Sequence, residues 1–575
     1  MRNFYIQYIV LVCLFVGMSI NLNAQKSDFS KLSDIQEKEI YSIFSILDSV
    51  HKPGAAVAII SKGELVYKKG FGMANLEYQI PITPQTKFQI AAMSRHFTAF
   101  AILMLEEEGV INLTDDIKKF IPELIEYDKK ITIEHLLSQS DGLCGYIPLK
   151  ELGGWDTTVF NQKHAIQLLS KQKKLGFDPG SDFAYTDTSM LLLAEVIARA
   201  SDMSFAKFMK ERLFEPLKMN NTLIREDFGQ IISDAAISYE VNENGGYKKS
   251  TMFLSTIGAT NMFSTVEDLV KWELHLKKPV LVSQKVITRL HSFIKLKNGK
   301  EYNVPWGKLT YGQQYVHKER GINTAYLGGS MAGHASSIFK FDEQDFIVIV
   351  LSNTGETYTG YYGMQSAYSF LKDKFTEPIT VDFTKIPTKK LTVKELNRYT
   401  GSYWDEKYGL SRKIEVKNDT LRYIRTNGYE SSLIPLGNDN FQMKVTGDDK
   451  IYVSFEVKNT TDKKMTFTIG EADPFLMEYY VPSKYTDKEY NQFVGAYYCE
   501  MLDVVYHVDI EDNKLVFDNV RSGKTIFSHI KENTFSGNHE FLSNIQIIKD
   551  TSGRITGFFV KYETLHDLWF KKIVE

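Results

Sequence analysis

The sequence predicts an α+β chain: a mixed region of helices and strands, followed by two copies of a small all-β unit. Three observations carry this. First, Ser33-Asp-Ile-Gln36 is a capping box with Ile40, Phe44 and Leu47 at helical spacing, and a tight hairpin through Lys62-Gly63 follows it. Second, the stretch 88–105 is apolar on nearly every side, which marks a buried central helix. Third, residues 390–403 recur as 484–497, and the same register pairs Ile414 with Val508, Val416 with Ile510, Leu421 with Leu515 and Phe441 with Phe535. Alternating apolar positions carried through a fixed period mean two copies of one β domain.

Taken in order, the chain opens with Arg2 and an apolar run from Tyr8 to Ile20, then Asn21-Leu-Asn-Ala24. This reads as a secretory signal peptide over 1–24, the apolar run being short for a membrane span. An uncleaved N-terminal anchor is the alternative. Removal of the leader places the protein in the periplasm or outside the cell, with no stable membrane span. It also leaves Cys144 and Cys499, which fall in different predicted domains and read as buried small residues. The formal net charge of −3 gives no reason to expect nucleic acid as a partner. The predicted domains are 30–375, a Pro-containing linker over 376–389, and β units over 390–482 and 484–575.

Within the first domain, Phe88-Gln-Ile-Ala-Ala-Met-Ser-Arg-His-Phe-Thr98 opens the central helix. Five further stretches follow it in order: Gly109-Val-Ile-Asn-Leu-Thr-Asp-Asp-Ile117, Thr132-Ile-Glu-His-Leu-Leu-Ser-Gln-Ser-Asp-Gly-Leu143, Pro179-Gly180 with Phe183-Ala-Tyr-Thr-Asp187, Pro216-Leu-Lys-Met219, and Ser264-Thr-Val-Glu-Asp-Leu269. Together they resemble the serine β-lactamase and penicillin-binding-protein family, with class C β-lactamases, DD-peptidases and esterases among its members. The resemblance implies an antiparallel sheet flanked by helices. It also likens the two β units to the lipocalin-like modules found on such proteins.

The family's chemistry needs a serine and a lysine one helical turn apart. In register, the serine falls on Ala92 and the lysine on Arg95. Ala92 has no hydroxyl, and an arginine cannot take a proton. The family's tyrosine survives as Tyr185, its asparagine partner has become Asp187, and its histidine is Gln139. The His-x-Gly or Lys-Thr-Gly strand, expected at a sheet edge, reads Leu327-Gly-Gly329, so only Gly329 keeps its identity. No catalytic set is intact. His96 and His334 have no ligand set around them, so no metal is expected, and no cofactor is implied.

Two readings from different classes follow. In the first the protein is a pseudoenzyme that binds a peptide, a peptidoglycan fragment or a protein partner, with Arg95 gripping an anionic ligand near Tyr185. The plainer form of that reading has Arg95 pairing with Asp187 and closing the site. In the second the protein is an active serine hydrolase with a rewired nucleophile, Ser94 or Ser140. A third possibility gives the function to the two β units.

Overall fold

The computed structural model describes residues 32–155, 159–304, 306–376, 386–425, 428–445, 450–470, 472–482, 485–512, 514–519 and 521–573. The signal-peptide region and most of the expected linker lie outside the described residues.

Helix α1 (Asp34–Phe44) begins at Ser33, whose hydroxyl accepts from Gln36 N at 3.3 Å while the Gln36 side chain returns the bond to Ser33 N. The next two elements, β1 (Ala55–Ser61) and β2 (Glu64–Phe71), form the expected hairpin. Its two turn residues are both left-handed, Lys62 at φ 51° and Gly63 at φ 75°, the geometry whose twist suits flanking strands. A short strand β3 (Phe88–Gln89) precedes the central helix α2 (Ser94–Glu107). Then come α3 (Asp187–Ser201), β4 (Leu223–Ile224), β5 (Met262–Ser264) and α4 (Val266–Lys277). The domain closes with β6 (Asn303–Val304), β7 (Gly307–Leu309), β8 (Tyr315–Glu319), β9 (Ile322–Met331), β10 (His334–Phe341), β11 (Phe346–Ser352) and α5 (Thr359–Leu371).

Eight of these strands make one antiparallel sheet in the order β6-β7-β8-β9-β10-β11-β1-β2. Helices α1 and α5 cover one face, burying Ile40 and Phe44, and α4 packs on the other. Covering both faces explains why β1 and β11 are near-continuous apolar runs and not alternating ones. The strand β9, expected at an edge, is interior over its first half. Its ladder with β8 ends at Tyr315↔Tyr326, so only the part from Leu327 onward lies beyond β8. Helix α2 is buried from Ser94 through Leu105 and packs on α3.

The C-terminal part forms two closed eight-stranded barrels, spanning Gly401–Tyr480 and Gly495–Ile573. Each closes by pairing its first strand with its last, which leaves no open edge. The sequence repeat is visible as pairing. Gly401↔Ile414 recurs as Gly495↔Val508, Leu421↔Leu433 as Leu515↔Phe527, and Pro435↔Phe441 as His529↔Phe535. Even the register shift after Pro435 returns after His529. The same Tyr hydroxyl reaches the same backbone oxygen in both, Tyr403 to Tyr399 at 2.7 Å and Tyr497 to Phe493 at 2.8 Å.

The barrels meet the first domain differently. The interior of the second is continuous with the first domain's core, and Gly145 N donates to Thr564 O at 2.8 Å. The interior of the first barrel is a separate cluster. Its ion pairs with the first domain, Lys300–Asp473 at 2.8 Å and Lys407–Asp182 at 3.2 Å, are solvent-exposed.

Candidate functional site

The site is built where α2 meets the free half of β9. The segment leading into α2 is held by three bonds: Ile90 N donates to Met262 O at 2.9 Å, Ser336 Oγ donates to Ile90 O at 2.8 Å, and Met93 N donates to Ile90 O at 3.2 Å. These ties hold Ala91 at φ 50°, a left-handed conformation that costs a residue with a side chain about 1 kcal/mol. Ala91–Met93 is a 3₁₀ turn, so the α-helix proper begins only at Ser94. Ala92 is the one residue of this turn that is not buried. Opposite it lies Gly329: a Cβ placed there would come within 2.4 Å of Ala92 N and 3.0 Å of its Cβ. Strand and turn are therefore in backbone contact at the position where the resemblance places the nucleophile.

Arg95 lies one turn on, 2 % exposed. Its Nη1 donates to Gln139 Oε1 and to Thr186 O, both at 2.9 Å, and its Nη2 pairs with the Asp187 carboxylate. Only Nε lacks a partner. Burial alone would lower the guanidinium's pKa, but Tyr185, Asp187 and Tyr315 outweigh it and hold the value above the ordinary one. The group is a fixed cation and accepts no proton. Both terminal nitrogens, which would have made the two-pronged contact to a ligand, are thus engaged within the protein.

Tyr185 stacks on that guanidinium, 4.0 Å from ring centroid to Cζ, and is 39 % exposed. Burial raises its phenol pKa, the Arg95 charge offsetting this only in part, so the hydroxyl is protonated at neutral pH. Asp187 is the first residue of α3, where a carboxylate complements the helix dipole as well as Arg95. Leu327 is 2 % exposed and belongs to the core. The two other serines have no base beside them among the described residues. Ser94 Oγ donates to Ala91 O at 2.7 Å, and Ser140 Oγ lies 2.8 Å from Ser138 Oγ, each with its residue 2–3 % exposed.

Two glutamines complete the network. Gln139, held at φ 54°, uses its carbonyl oxygen for Arg95 and for Thr186 N, while its amide reaches Gln313. Gln313, also left-handed at φ 60°, donates to Leu137 O at 3.1 Å and so ties the β7–β8 connection to the same cluster. Gln139 stands at the family's histidine position, which was the available signal; nothing in the sequence pointed to Gln313. His96 is structural. His96 Nδ1 donates to Gly312 O at 2.5 Å, its ring packs on Trp272, and burial holds its pKa at about 3. No group of three or more His, Cys, Asp or Glu side chains able to hold a metal occurs among the described residues, and none of their helices is long and apolar enough to cross a membrane.

A family model described as Beta-lactamase matches residues 43–362. Penicillin-binding protein 4* of Bacillus subtilis is 24% identical over 452 residues, covering 76% of this chain and 94% of that protein. A D-aminopeptidase of Gluconobacter oxydans is 24% identical over 52% of this chain and 56% of its own length. Among solved structures, an octameric penicillin-binding protein homologue from Pyrococcus abyssi aligns with a TM-score of 0.53 at 23% identity, over 78% of this chain and 100% of that one.

Proposed function

Since the chain belongs to the beta-lactamase family, we propose that it is an exported member of it that binds its ligand without hydrolysing it. The observation that carries this is the Ala92–Gly329 contact. The turn, its strained Ala91 and the strand that closes on it are all present, and the side chain they present has no nucleophilic atom. Arg95 supports the same reading. A lysine there could shed a proton to activate a neighbour, whereas a guanidinium bonded to Gln139, Thr186 and Asp187 serves to hold α2 against α3. Arg95 in this reading closes the site, and the Tyr185 ring, supported from below by that charge, forms the accessible wall.

The ligand class we favour is a peptide or a peptidoglycan fragment, the relatives being named for penicillin binding and D-aminopeptidase activity. A protein partner would use the same cleft. Export rests on Arg2, the apolar run and the Ala24 position.

The test is covalent labelling of the purified protein with a fluorescent penicillin and with a fluorophosphonate. Neither should leave an adduct. Ala92→Ser should stay unlabelled too, because Arg95 still provides no base and such groups act as a unit. A stoichiometric adduct on the unmodified protein, mapped to Ser94, Ser140 or any other serine of the first domain, would overturn the reading and make the protein a working hydrolase.

A further inference from the structure

On the Gln89 side of the Ala92 turn lies a cavity of about 270 Å³, reached past the β9–β10 turn and lined by Arg225, Gln89, Asn261, Phe263, Met331 and His334. Its charge is unbalanced. Arg95, Arg199, Arg212, Arg289 and Arg320 each pair with a carboxylate. Arg225, the remaining arginine of the described first domain, pairs with none among the described residues. Its Nη2 donates to the neutral Asn261 Oδ1 at 2.8 Å, an oxygen that also accepts from Gln89 Nε2 at 2.8 Å. Its Nε is buried and has no partner. Burial depresses its pKa and no acidic neighbour offsets that. The guanidinium lies 5.3 Å from the Phe228 ring centroid and 5.2 Å from that of Phe263, which fixes its plane but supplies no counter-charge.

His334 is 4 % exposed and its ring bonds the Ser352 backbone, which leaves Nδ1 an acceptor and no aid to an anion, so the site's anion affinity rests on Arg225. A half-buried cation facing a cavity with unspent donors is costly without an anion to complete it. Charge-assisted N–H donors suit a carboxylate, and one positive charge is neutralised by one negative charge. The other cation of the lining, Lys249, is already paired with Glu77 at 2.8 Å, so a dianion would leave a charge uncompensated.

We propose that this cavity is a binding site for a small organic monocarboxylate, its carboxylate on Arg225 and its apolar body against Phe228, Phe263 and Met331. The site is separate from the Arg95 cluster and stands whether or not the cleft hydrolyses anything. It does share an element with it, because Gln89 is the last residue of β3, two positions before Ala91.

The experiment is isothermal titration of the full chain with benzoate and with N-acetylglycine, against benzamide, N-acetylglycinamide and inorganic phosphate. At least one carboxylate should bind saturably, its amide should not, and phosphate should bind at least tenfold more weakly. Arg225→Gln should lower the carboxylate's affinity at least tenfold. Thr251→Trp, on the exposed rim of the cavity, should do the same with Arg225 intact, which separates lost binding from lost folding. Failure of both carboxylates to bind, or undiminished binding to Arg225→Gln, would overturn the proposal. So would loss of binding in Arg95→Ala with Arg225→Gln unaffected, which would move the carboxylate into the cleft. The labelling test above can fail without touching any of these outcomes.

Discussion

Asp141, two residues beyond Gln139, is 2 % exposed. Leu143 N donates to one of its oxygens at 2.9 Å and Ser189 Oγ to the other at 2.7 Å. Burial outweighs these bonds and raises its pKa from 3.8 to about 6. A carboxyl whose folded pKa lies above its unfolded one is a stabilising group only while protonated. The Asp141 contribution to stability is therefore highest below pH 3.8, falls as pH rises toward 6, and stays reduced above it, by about 3 kcal/mol in all. Asp141→Asn removes the ionisation. It should gain about 1 kcal/mol relative to the unmodified protein on going from pH 5 to pH 8, read from urea midpoints at the two values. Equal differences at both pH values would show that Asp141 is not desolvated. At this scale the sequence was informative where a residue type alone decides the chemistry. Ala92 cannot attack and Arg95 cannot accept a proton, whatever surrounds them. It was silent on who spends the guanidinium's donors, since Gln313 and the Thr186 carbonyl reach Arg95's cluster only through the tertiary fold.

The meeting of β9 with the Ala91–Met93 turn is the joint on which the site depends. No side chain fits at Gly329, because the nearest atom to an added Cβ is the backbone nitrogen of Ala92, which cannot swing aside. Gly329→Ala should therefore separate strand from turn and destabilise the first domain by about 2 kcal/mol, in the range of core overpacking. The neighbouring Gly328→Ala meets first the Tyr326 hydroxyl, the end of a side chain, so it should cost less. Thermal melts of the two variants compare them, and a larger loss for Gly328→Ala would contradict the close contact. The helices and hairpin were legible because capping residues and apolar spacing are local. The half-covered state of β9 was not, since it depends on where the β8 ladder stops, at Tyr315↔Tyr326, and that is set by the connection through Gln313.

At the scale of the whole molecule, the duplicated barrels have diverged in how they attach. Exposed ion pairs such as Lys407–Asp182 contribute about 0–1 kcal/mol each and weaken with salt. The second barrel instead buries Cys144: His566 N donates to its Sγ at 3.2 Å, and an added Cβ on Gly176 would strike the His566 ring at 2.1 Å. Burial pushes that thiol up to about 12. Cys144 of the native protein should give no fast reaction with a disulfide reagent at pH 8, and a chain cut before Gly495 should expose it. Fast labelling of Cys144 in the uncut protein would contradict the docked arrangement. The repeat announced both barrels, but nothing in either copy distinguished the one that docks.

That docking has a consequence in time. Cys144 and His566 are separated by 422 positions, and contacts between such distant residues form late because the intervening chain must be closed into a loop before they repay it. The first domain therefore cannot complete its surface from its own residues: the face around Gly145 and Cys144 stays open until a barrel far downstream has folded and arrived. Refolding should end on a slow step of domain assembly, and during that wait the bare thiol and its apolar surround are open to wrong partners.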